Sequence, residues 1–209
     1  MTTGRVQARA KPFEHAWARV LREAGATVHT QKMLREVTAL TVRPTDTRRI
    51  DALATGLPFY FGRALFCDPT IRSPLARDGR PHPRSAQVDG ATFTKALRDK
   101  ERKYPEIVTS PHAELLTLAT EIGGRWNNTS IELVSLLAKH KVQETPGVLR
   151  RSAQLAWINR WWTILAVAAQ DALAASVLAP ACSRLVLDGS AADAPDLDIL
   201  LDHNRDTCC

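Results

Sequence analysis

Residues 49–71 read RIDALATGLPFYFGRALFCDPTI, and this stretch decides the fold. It holds two apolar runs, 49–54 and 65–71, and each carries one aspartate, Asp51 and Asp68. Gly56, Pro58 and Gly62 lie between the runs and mark a chain reversal. The stretch therefore reads as a hairpin of two strands. A carboxylate among buried neighbours is costly unless something pairs with it. Two aspartates on one hairpin, with sixteen residues between them, suit a shared divalent cation. Phe59, Tyr60 and Phe61 in the reversal are expected to pack over the sheet.

Upstream, residues 43–48 are turn-rich, and 26–34 read as a first strand with Val28 alternating against polar neighbours. Pro12 is expected to open a helix that Gly25 stops, with Phe13, Trp17, Val20, Leu21 and Ala24 on one face. Residues 1–11 read as a loose basic leader. Downstream, residues 74–90 hold three prolines, two glycines and Arg77, Arg80 and Arg84, and read as a long exposed loop. A helix over 91–104 follows, with Phe93, Ala96 and Leu97 as its apolar stripe and Lys95, Arg98, Lys100, Arg102 and Lys103 opposite. Residues 114–122 read as another core strand, ending near Glu121 before Gly123 and Gly124. Thr129, Ser130, Ile131 and Glu132 form a capping-box pattern that opens a helix to about Lys141. A long helix over 149–178 carries Trp157, Trp161 and Leu165 on one face, which is expected to bury against the domain itself.

These elements predict an α/β or α+β layered domain with a mixed central sheet of about four strands flanked by helices. The expected organisation is a domain over 12–145, a Trp-rich helical extension over 146–187, and an acidic tail over 188–209.

The totals narrow the function. The 209 residues are 44% hydrophobic and carry a net charge of +6. Between Arg43 and Lys103 there are thirteen Lys/Arg against seven Asp/Glu; elsewhere the count is fifteen against fifteen. The basic surplus thus surrounds the two aspartates, which suits a polyanion such as nucleic acid. Arg48, Arg49, Arg72, Arg77, Arg80, Arg84, Lys95 and Arg98 are the expected phosphate contacts. The four cysteines show no CxxC spacing, so zinc is not expected, and Cys67 reads as a core thiol. The opening residues do not read as a secretion signal, and the most apolar stretch is broken by Gln170 and Asp171. An intracellular protein with no membrane span is expected.

Several short motifs occur in a telling order. They are Arg48-Arg49-Ile50-Asp51, Cys67-Asp68-Pro69-Thr70-Ile71-Arg72-Ser73-Pro74, Lys100-Glu101-Arg102-Lys103-Tyr104 and Thr120-Glu121-Ile122-Gly123-Gly124. With His15 on the first helix, this series resembles the region downstream of the reverse transcriptase in non-LTR retrotransposon-derived polyproteins. That region is restriction-endonuclease-like, of the PD-(D/E)XK superfamily, and the resemblance covers roughly residues 12–140. It implies a Mg2+- or Mn2+-dependent endonuclease domain, active or decayed, that nicks DNA, or RNA as the other polyanion. It also implies a nuclear location in a eukaryote and a reverse transcriptase in a parent polyprotein. Asp51 and Asp68 would be the metal ligands and Glu121 an additional acid. Ile50 stands where the superfamily has proline, and Thr70 holds its usual lysine position. The resemblance therefore shifts the lysine role to Lys103, with Lys100 one turn earlier as its substitute. The alternative expectation is a non-catalytic module that binds nucleic acid or another protein.

Overall fold

The computed structural model describes the backbone of residues 3–76 and 79–187, and the side chains of 11–76 and 79–175. The expected acidic tail and Arg77 lie outside the described residues. The chain forms two units, 1–173 and 174–209. The first contains the sheet and all the residues discussed below.

Its elements are α1 (Thr3–Glu23), β1 (Thr27–Met33), β2 (Arg49–Thr55), β3 (Ala64–Arg72), α2 (Ala91–Lys103), α3 (Pro105–Thr109), β4 (Ala113–Glu121), α4 (Asn128–Lys141) and α5 (Gly147–Leu187). The strands form one mixed sheet in the order β1-β2-β3-β4. The first two pairings are antiparallel and the third is parallel, with α2 and α3 lying in the β3–β4 crossover. The expected mixed four-stranded sheet with flanking helices is what the chain builds.

The core is divided in two; alternation sorts β3 between the halves, while in β2 Ile50 joins Leu53 rather than Ala52 and Ala54. Phe13, Trp17 and Leu21 of α1 pack with Ala52, Ala54, Leu65, Cys67, Leu118, Leu133 and Leu137. Trp161 and Leu165 of α5 complete that cluster, fully buried, so the tryptophan face covers the domain as expected. Glu23 ties α5 to α1: its carboxylate accepts from Arg160, Arg19 and the Trp161 indole. These bonds, the Arg160 one foremost, hold its carboxyl down at about 2. The other cluster joins Leu34, Ile50, Leu53, Phe66, Tyr104 and Ile107. Cys67 is the buried thiol expected, pushed up to about 12 by its burial.

Three local expectations are corrected. The first helix begins at Thr3 rather than Pro12, which lies inside it. Arg, Gln, Ala and Lys before Pro12 are good helix formers, and the proline removes only one backbone donor. α4 is capped by Asn127, not Thr129: Asn127 Oδ1 accepts from the Ser130 amide at 3.1 Å. The same side chain donates to the Thr117 carbonyl and accepts from the Ala119 amide, so this cap also pins α4 to β4. Phe59 and Tyr60 pack on the core, but Phe61 is 95% exposed. Among the described residues no helix is long and apolar enough to cross a membrane.

Candidate active site

The sheet forks where the two aspartates stand. β2 and β3 pair from Ala54↔Leu65 to Ala52↔Cys67 and then part. β2 continues with β1 through Lys32↔Ile50 and Met33↔Arg49. β3 continues with β4 from Asp68↔Thr117 to Arg72↔Glu121. Asp51 and Asp68 are the first residues beyond the last β2–β3 pair. Each is one step from the facing pair Ala52↔Cys67, and the charge of Asp68 acts on Asp51. Local sequence supports the parting. Pro69 has no N–H to offer a neighbour. The Arg49 carbonyl, past the end of the β2–β3 ladder, accepts from the Tyr104 hydroxyl at 2.9 Å instead.

Asp68 is 1% exposed. Its Oδ1 accepts from Lys100 Nζ at 2.5 Å, while its Oδ2 is buried and makes no hydrogen bond. Thr117, its partner on β4, also has a buried hydroxyl without a bond. Asp51 is intermediate in exposure, yet its carboxyl is pushed up to about 7. Burial is the main cause, and the negative charges of Asp68 and Glu14 add to it, while Lys100 and Lys103 oppose it. Glu14 comes from α1, is 9% exposed, and is likewise raised by burial. Gln31 of β1 joins the two: its Nε2 donates to Glu14 Oε2 at 2.8 Å and to Asp51 Oδ1 at 3.3 Å. The charges of three carboxylates from three elements, and of Lys100 and Lys103, thus meet at Asp51. Tyr104, fully buried, has its hydroxyl raised by burial, by the charges of Asp68 and Asp51, and by its approach to the Asp68 carboxylate.

The expected lysines exchange places. Lys100, not Lys103, meets Asp68. Lys100 lies one helical turn after the buried Ala96 and so shares its inward face. Lys103 instead holds its ammonium 4.6 Å from the centre of the Tyr104 ring, a cation–π contact. Glu121 pairs with Arg72, four residues along from the Asp68↔Thr117 pair and so about 13 Å away along the strand. It accepts from Thr92 Oγ1 at 2.6 Å and approaches Arg125 at 3.5 Å. It is not brought to Asp51 or Asp68. His15 is exposed beside the buried Glu14. Glu14 and Gln31 are the residues that sequence reasoning missed; Tyr104 stood in the Lys100–Tyr104 motif without a role of its own. Glu14 had a signal: with Trp17, Ala18 and Leu21 it falls at i, i+3, i+4 and i+7 on the buried helix face.

The expected phosphate contacts divide into two groups. Arg48 is engaged within the fold: it binds both Asp46 oxygens, Glu106 Oε1 at 2.7 Å and the Lys103 carbonyl. Arg72, Arg84, Lys95 and Arg98, joined by His82 and Arg102, line a groove of about 620 Å³ between the 73–90 loop and α2. Asp99 is the single acid among its lining residues and lies 3.5 Å from Arg72. The groove shares α2 and β3 with Lys100 and Asp68, but none of Asp51, Asp68 and Lys100 lines it, and its Arg72 stands about 13 Å along the strand from Asp68. Arg49 is exposed on the other side, near Gln31. Arg80 belongs to the loop, where its carbonyl accepts from the Ala76 amide.

The donor set suits a hard cation. Every candidate ligand is a carboxylate oxygen, and Asp68 Oδ2 is a buried acceptor with nothing bound to it. Among the described residues no three of His, Cys, Asp and Glu close into a metal-binding group. No known family model matches the chain, and no curated protein is similar enough to count as a relative.

Proposed function

We propose that this chain carries a metal-dependent DNA endonuclease domain, restriction-endonuclease-like in fold and retroelement-derived in origin. One observation carries the reading: the fork between β2 and β3 brings Asp51, Asp68 and Lys100 within electrostatic reach of one another, with Asp68 Oδ2 buried and unbonded. Asp51 and Asp68 would hold Mg2+ or Mn2+. When bound, the cation lowers the pKa of a water molecule and offsets charge developing on the phosphate.

The reaction is hydrolysis of a phosphodiester. A water oxygen bonds to phosphorus and one P–O bond to a deoxyribose oxygen breaks. The chain's own groups place the substrate and screen its charge. Arg72, Arg84, Lys95 and Arg98 draw the phosphates into the groove. Lys100 Nζ, held by Asp68 at the cleft, offers its remaining N–H donors to a phosphate oxygen. Burial around Asp68 strengthens the interaction of Lys100. The function of Lys103 is to hold Tyr104 and α2 in place rather than to meet substrate.

A second reading has its own support. Lys100 already neutralises Asp68, and no three-ligand metal group closes among the described residues. Both suit a decayed copy that binds nucleic acid, DNA or RNA, without cutting it. A plasmid-nicking assay in Mg2+ or Mn2+ separates the two. The nuclease reading expects nicking by the parent chain and its loss in Asp68→Ala and Lys100→Ala. Nicking that survives Asp68→Ala overturns the proposed centre. Salt-sensitive binding with no nicking by the parent selects the second reading.

A further inference from the structure

Gln31 sits in the middle of the edge strand β1, between the pairs Thr30↔Ala52 and Lys32↔Ile50. The residue it faces on β2 is Asp51. Its φ is +52°, in the left-handed region that a residue with a Cβ rarely adopts. Neither neighbouring pair needs that conformation, since the strands pair normally on both sides of it. What accompanies it is the placement of one amide. Gln31 Nε2 donates to Glu14 Oε2 and to Asp51 Oδ1. A side-chain amide has two protons, so one nitrogen serves both carboxylates. Those carboxylates come from different elements, α1 and β2, and repel each other.

We propose that Gln31 is a positioning residue for the cleft: its amide clamps Glu14 to Asp51 and fixes the direction in which Asp51 presents its other oxygen. The side-chain chemistry fits this task better than its alternatives. A lysine there would neutralise the acids and compete with a cation. A glutamate would add a third repelling charge. An asparagine suits the left-handed backbone but is one methylene too short to keep both contacts. The strained position of Gln31 is thus explained by a contact that only the longer amide makes. The inference rests on the nuclease reading.

Gln31→Asn and Gln31→Gly test it, because both residues accept the φ of this position and keep the fold. Three quantities are compared with the parent: the thermal midpoint, Mn2+ affinity measured by calorimetry without DNA, and the Mn2+ concentration that half-saturates plasmid nicking. The clamp predicts an unchanged or higher midpoint, Mn2+ affinity weaker by about 10- to 100-fold, and a matching rise in half-saturating Mn2+. Variants that bind Mn2+ and nick like the parent overturn the clamp alone. Variants that lose activity only in step with a falling midpoint also overturn it, since that marks a structural role. A parent that neither binds Mn2+ nor nicks overturns the nuclease reading, and the clamp with it.

Discussion

Two clusters of charge lie within reach of α2, and they treat their acids in opposite ways. Around Arg48, the carboxyls of Asp46 and Glu106 are held below their ordinary values, first of all by hydrogen bonds from the guanidinium. In the cleft, Asp51 and Glu14 are held above theirs, first of all by burial. The Arg48 cluster spends its charges on the fold: it ties the turn before β2 to α2 and α3. The cleft leaves an aspartate oxygen buried and unbonded. The difference teaches which basic residues serve structure and which are set up for a ligand. An arginine already bonded to two acids and a carbonyl is a poor phosphate contact, whatever its place in the sequence.

Substitutions on either side break or sharpen this contrast. The largest effect is expected at Lys100. Lys100→Ala leaves Asp68 buried and unpaired and should cost about 3–5 kcal/mol of stability. Adding Asp68→Asn should recover most of that loss, and chemical denaturation of the single and double variants reads the difference. Next comes Arg48→Ala, which should cost about 1–3 kcal/mol through its charge-assisted bonds and change DNA affinity less than about twofold. A large drop in affinity there would erase the distinction between the clusters.

Asp51→Asn should act in the opposite direction. The folded-state value near 7 lies above the roughly 3.9 of an unfolded chain. Between those values the folded protein binds the more protons, so the contribution of Asp51 to stability falls as pH rises through that window. The asparagine variant should melt about 2–4 °C higher than the parent at pH 8. The gain should shrink as the pH falls through that window and vanish only below about 4, where Asp51 is protonated in both states. The smallest stability effect is expected in the groove. Arg98→Ala should stay within about 0.5 kcal/mol of the parent, yet lower the salt slope of DNA binding by about one.

The sheet was legible because its signals are local. Period-two alternation and the glycines around 56–62 place β2 and β3 within a residue or two of their observed ends. Asp51 and Asp68 stood out for the same reason, as charges in apolar runs. The short helix α3 was not expected after the helix over 91–104, although Pro105 suits a first helical position. The fork was not legible either, since strand parting is a property of three strands together. Without it nothing distinguishes Lys100 from Lys103, which lie one turn apart, and the contact with Asp68 was expected first of Lys103. Gln31 carried no sequence signal: a glutamine in a polar edge strand is ordinary until its backbone and its two partners are seen.

The central claim is that Asp51 and Asp68 share a cation at the fork. A crystal structure of the protein with Mn2+, read by anomalous scattering, tests it most directly. The account predicts one strong peak within about 2.1 Å of an oxygen from each aspartate, Asp68 Oδ2 among them. A Mn2+-containing crystal with no peak between the two aspartates would contradict it.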